Sequence, residues 1–144
     1  MSDFLVSSGV GASLLFSHAF VTKIATTLMF RTKLTDSRTP AAECNKIESS
    51  WFYKRYHAAQ MNEFEYAAAF VPAMLFLHSK GIAAPVSSSM AVGGQIWYFW
   101  GRALIGHGNE GGPKVFPPAY VPGALIRYFG MGLMAYELWN AVKN

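Results

Sequence analysis

Charge is scarce in this chain. Asp, Glu, Lys and Arg make up 14% of its 144 residues, against about 25% in an ordinary soluble domain. A chain this short has a large surface for its volume, and so few charges cover it poorly in water. Cysteine is scarcer still. Cys44 stands alone, so no intrachain disulfide can form. It sits in a polar stretch and reads as an ordinary free thiol. The four histidines, His18, His57, His78 and His107, are scattered. HExxH and CxxC spacings are missing, and Gly111-Gly112-Pro113-Lys114 lacks phosphate-loop spacing, so neither a metal set nor a nucleotide loop is expected. Lys and Arg outnumber Asp and Glu by 12 to 8, a net charge of +4. Half of the basic residues lie between Arg31 and Arg55, interleaved with Asp36, Glu43 and Glu48, and three others fall in apolar segments. That distribution is not the clustered basic face of a nucleic-acid binder, and nucleic acid is not expected as a partner.

What the chain has is apolar length: 52% of its residues are hydrophobic and 15% aromatic. Four windows approach the length of a bilayer span, about 20 residues. They run from about 4 to 30, 58 to 77, 88 to 105 and 120 to 142, and they make one domain over residues 1–144. The first has a charge-free core from Phe4 to Thr22. The third is the weakest, with Gln95, Arg102 and several Ser and Gly. In hydrocarbon a helix satisfies its own backbone, whereas four strands could not close a barrel, so the expected fold is all-α, a four-transmembrane-helix bundle. Small residues recur where such helices pack: Ala67 to Ala69, Gly93, Gly94, Gly101, Gly123, Gly130 and Gly132. Trp51, Phe52, Tyr53, Tyr56, Tyr120 and Trp139 collect at the expected interfaces. No basic region precedes the first window, so it is expected to remain as a span.

Orientation follows from the links. The first and third loops hold Arg31, Lys33, Arg38, Lys46, Lys54, Arg55 and Lys114, while the opposite side holds only Lys80 and Lys143. The positive-inside rule places both basic loops in the cytosol or its equivalent, with the termini opposite. Ionisable residues inside spans are costly and therefore informative. They are Lys23, Glu65, Arg102, Arg127 and Glu137. Lys23 can snorkel to the interface, and Glu137 lies near the far end. The start of the second window is the densest polar cluster, and Arg55, Asn62 and Glu65 share one helical face there. Such a face can clamp a zwitterion: Arg takes a carboxylate, the amide a peptide group, Glu an ammonium. It can equally form an interhelical network, for example Glu65 with Arg102. Glu63 falls off that face and is expected to be solvated near the interface.

The run Ala59-Gln60-Met61-Asn62-Glu63-Phe64-Glu65-Tyr66, preceded by Arg55 and followed by an apolar stretch, resembles the signature helix of the MAPEG superfamily, the membrane-associated proteins of eicosanoid and glutathione metabolism. Gly101-Arg102 looks like a pair in the family's third helix. In layout the resemblance covers nearly the whole chain; its specific part is the second span and the Gly-Arg pair. It implies a homotrimer of four-helix subunits, or a subunit of a larger membrane complex, in an organelle membrane such as endoplasmic reticulum, mitochondrion or plastid. Glutathione is the implied co-substrate, bound between subunits near the cytosolic side, and membrane lipids surround the site. Asn62, Glu65 and Arg102 match ligand-binding positions, Arg55 a basic position one turn earlier, and Gln60 the polar motif position. The implied activity is glutathione transfer to, or reduction of, lipophilic electrophiles.

The sequence also departs from the pattern. Ala58 stands where the family has Arg, and Asn109 where a Tyr is expected. The Arg that meets the glutathione sulfur has no counterpart, which leaves Lys114, or Arg127 deeper in the fourth span, as the catalytic cation. A free thiol has a pKa of about 8.5, and lowering it by about two units takes about 2.7 kcal/mol of differential interaction. The alternative is therefore a non-catalytic MAPEG-like protein that binds lipid or serves as an accessory subunit. A small transporter component has only the intramembrane charges in its favour.

Overall fold

A computed structural model describes residues 5–106 and 111–143. Phe4, His107 and Asn109, named above, lie outside the described residues. Those described form five helices and no strand. Helix α1 spans Ser8–Thr35, with a π-helical turn at Thr27–Arg31. Helix α2 is Ala41–Ser49, α3 Trp51–Ser79, α4 Pro85–Ile105 and α5 Val121–Lys143. The chain is thus all-α. The helices outrun the apolar windows because a helix satisfies its backbone in either medium. Arg55 accordingly lies inside α3, and α2 interrupts the first loop.

The turn between α3 and α4 shows why the helices stop where they do. Gly81 takes φ +72°. Its N–H donates to His78 O at 2.9 Å and the Ile82 N–H to Leu77 O at 2.9 Å, the pairing of a Schellman cap. Pro85 then occupies the first turn of α4, where a missing N–H costs nothing. The start of α1 is tied to this turn: Ser8 N–H donates to Ala83 O at 2.6 Å, and its hydroxyl to Ile82 O at 2.8 Å.

The most extensive helix contact is α4 on α5, followed by α1 on α3 and α3 on α4. Leu15, Ala67, Phe70, Met74, Leu77 and Ala91 fill the larger apolar core. Phe30, Tyr56, Ala59, Phe99 and Ala103 fill a second one toward the basic loops. Polar side chains are prominent inside. Arg55, Gln60, Glu63, Gln95 and Arg127 rank with Phe99, Leu15 and Met74 among the largest fully buried side chains. The outside is apolar: Phe16, Val21, Leu28, Phe129 and Trp139 are all at least 60% exposed. This inverts the usual distribution for a protein in water. By length and composition α1 is long and apolar enough to cross a membrane. The polar residues inside α3, α4 and α5 lower their mean hydropathy.

Candidate functional site

Arg55 is fully buried at the base of α3. Its Nη1 donates to Pro113 O at 2.7 Å and its Nη2 to Gly111 O, while the guanidinium lies 5.2 Å from the Trp51 ring centre. Arg55 thereby pins the segment that carries Lys114, whose side chain is exposed. Gly106 makes room for it, since a Cβ there would strike the guanidinium. Arg55→Lys cannot make the forked contact. Amide exchange across 111–115 should then rise at least about tenfold, because a charged hydrogen bond contributes about 1.5–3 kcal/mol. Unchanged exchange would mean that the segment is held by something else.

Arg127 is 1% exposed. Its Nη1 donates to Asn62 Oδ1 at 2.8 Å on α3 and to Gln95 Oε1 at 2.6 Å on α4. Its guanidinium sits 3.5 Å from the centre of the Tyr66 ring, 4.4 Å from Tyr98 and 5.2 Å from Tyr128. Two amide oxygens and three ring faces thus solvate a cation that has no carboxylate against it among the described residues. At the mouth of this box the Tyr66 hydroxyl donates to the Tyr128 hydroxyl at 3.2 Å. Asn62, Tyr66 and Arg127 converge there, with Glu65 beside them on α3. Glu65 is exposed and makes no hydrogen bond or ion pair among the described residues. The chain matches no family model, no curated protein and no solved structure.

Besides Arg55 and Lys114, two further expected members stand apart from the box. Arg102, near the end of α4, lies over the Tyr120 ring at 5.5 Å, and no ion pair with Glu65 forms. Gln60 is fully buried, and neither of its amide atoms has a hydrogen-bond partner among the described residues. Among the described residues no three His, Cys, Asp or Glu cluster as metal ligands.

Glu63 is not solvated near an interface, as the helical-face argument suggested. It is fully buried and meets α1. The Thr22 hydroxyl donates to its Oε2 at 2.6 Å, and His18 Nδ1 bonds its Oε1. His18 Nε2 accepts from the Trp100 indole at 3.1 Å, which fixes Nδ1 as the donor. The sequence contained a signal for this. Tyr56, Ala59, Glu63, Ala67, Phe70, Met74 and Leu77 recur at helical spacing and are all buried. The window starting at Ala58 cut off the beginning of that stripe. Glu137 is likewise engaged, accepting from the Ser87 hydroxyl, and the Lys23 ammonium lies 5.3 Å from the Phe64 ring centre.

Proposed function

We propose that the chain is a MAPEG-like protein that crosses an organelle membrane four times and binds glutathione at the α3–α5 cleft, as a glutathione transferase or peroxidase for lipophilic electrophiles. The observation behind this reading is Glu65. An exposed carboxylate without a partner, midway along an apolar face, is costly in lipid unless a neighbour or ligand neutralises it. It stands at the motif position that would receive the glutathione ammonium. Asn62 has its Oδ1 occupied by Arg127 and its Nδ2 protons left for a peptide carbonyl. A second subunit would close the cleft, giving the homotrimer, with Arg102 at its rim. The apolar exterior and polar interior support four spans: side chains facing lipid need no charge, and Asn62, Gln95 and Arg127 find partners on one another across α3, α4 and α5.

In the reaction a cation must favour the thiolate, which then attacks the electrophile from the lipid side. Lys114, on the segment pinned by Arg55, is an exposed cation at the cytosolic end. Arg127 gives the cleft a positive interior but is enclosed by Tyr66, Tyr98 and Tyr128. That enclosure favours the second reading, a non-catalytic lipid-binding or accessory subunit. One titration separates them: glutathione added to protein in mild detergent, with binding heat and thiolate absorbance followed together. Heat with a thiolate signal supports the enzyme, and heat alone the non-catalytic protein. Glu65→Gln should weaken binding at least about tenfold, the size of a charge-assisted hydrogen bond. Equal binding by the parent and Glu65→Gln would remove glutathione from this cleft.

A further inference from the structure

The seam between α3 and α5 does not end at the tyrosine box. One turn further along both helices, a groove of about 160 Å³ opens between them, lined by Ala69, Ala73, Met131, Met134, Ala135 and Leu138. The two helices run in parallel, as the pairings Asn62–Arg127 and Tyr66–Tyr128 show. Polar box and apolar groove therefore follow one another as a track along a single helix seam, polar toward the basic loops and apolar toward the far side. The box also has a spare proton. Tyr66 donates its hydroxyl proton to the Tyr128 oxygen, so the Tyr128 proton remains to be given. Tyr128 is 49% exposed, and the Arg127 cation lies behind its ring. A half-exposed O–H next to an unneutralised cation is a site for an oxygen that gains negative charge.

We infer that this track is the acceptor site for an acyl-chain α,β-unsaturated carbonyl compound, its chain in the Met131–Met134 groove and its carbonyl oxygen on Tyr128. The inference rests on the glutathione reading and names its second substrate. Met side chains suit a variable chain because they are unbranched and polarizable. In the reaction the glutathione sulfur bonds the β-carbon. The π pair moves to the carbonyl oxygen, where the Tyr128 hydroxyl meets the enolate charge. The proton lost by the thiol ends on the α-carbon, so the sum is addition of S–H across C=C. No oxidant or reductant is needed. Tyr66 and Arg127 act through Tyr128 as positioning residues.

The test uses full-length protein in mild detergent with two probes and two variants. 2-Dodecanone has the chain and the carbonyl but no reactive double bond, so its binding reports the track without glutathione. Ala135→Leu fills the groove from an exposed position and should weaken 2-dodecanone binding about tenfold, while 2-butanone binding stays unchanged. Glutathione addition to a long-chain 2-alkenal should lose about 100-fold in kcat in Tyr128→Phe, the effect of removing one oxyanion donor, with glutathione binding heat retained. 2-Dodecanone binding that ignores Ala135→Leu, or a Tyr128→Phe enzyme of parental kcat, overturns the inference. Failure of glutathione to bind, with 2-dodecanone binding intact and sensitive to Ala135→Leu, overturns the glutathione reading and leaves a carbonyl-lipid site.

Discussion

Leucine at Gly94 or Gly123 is expected to separate α4 from α5 and to cost the protein its fold. A Cβ at Gly94 would lie 2.6 Å from Arg127 N and 2.8 Å from Gly123 O. One at Gly123 would lie 2.6 Å from Tyr98 N and 2.8 Å from Gly94 O. Both obstacles are backbone atoms of another helix, so no rotamer change relieves them and the helices themselves must part. Even alanine should cost about 1–3 kcal/mol here, and leucine more. The loss reaches the candidate site, because Gly94 precedes Gln95 and packs on Arg127. Gly93 and Gly132 are the control. A Cβ at either meets nothing within 4 Å, so leucine there should leave thermal unfolding in detergent within about 0.5 kcal/mol of the parent. Equal melting of Gly94→Leu and Gly93→Leu would mean that the α4–α5 contact is not the one described.

His18→Leu is expected to cost about 3–5 kcal/mol, because it leaves the fully buried Glu63 carboxylate without the imidazole. Glu63→Leu removes the costly member and leaves only the His18 Nδ1–H short of an acceptor, since the Thr22 hydroxyl keeps Ala19 O at 3.0 Å. It should cost less, about 1–3 kcal/mol. The double variant should recover most of the loss, since replacing both members of a buried polar pair with apolar groups is often close to neutral. Unfolding of the four proteins in denaturant closes the cycle. A coupling energy below about 0.5 kcal/mol would show that His18 and Glu63 do not depend on each other. The indole of Trp100 gives a second readout. It loses its acceptor when His18 is replaced and keeps it in Glu63→Leu.

The sequence showed the helices better than it showed the contacts between them. Four apolar windows locate α1, α3, α4 and α5, because hydrophobic length registers before any packing is known. Their ends are less legible: Arg55 precedes the second apolar window and counts with the basic first loop, yet its helical spacing to Asn62 and Glu65 already points to α3, where it lies. The glycines illustrate the same division. Composition marked Gly93, Gly94, Gly123 and Gly132 alike as packing residues, and the fold uses Gly94 and Gly123 while leaving Gly93 and Gly132 open. Asn62 and Arg127 were both chosen from sequence, but their direct hydrogen bond depends on how α3 meets α5. The burial of Glu63 is hidden from a helical wheel of α3 because its partners, His18 and Thr22, lie on α1, with Trp100 of α4 donating to His18 behind them.

The way polar residues are shared among helices has a consequence for how the chain is made. Among the described helices α1 is the one long and apolar enough to cross a membrane, and on the proposed reading it enters the bilayer first. A charged residue at the centre of a lone helix costs about 2.5–3.5 kcal/mol on insertion. For α3 that cost falls once Glu63 finds His18 and Thr22 already in place on α1. Likewise Arg127 on α5 requires Asn62 and Gln95, which are synthesised earlier, on α3 and α4. Each late helix brings a polar group whose partners have been made before it. On the four-span reading proposed above, this sets a biosynthetic order in which α3 and α5 enter against the helices that precede them.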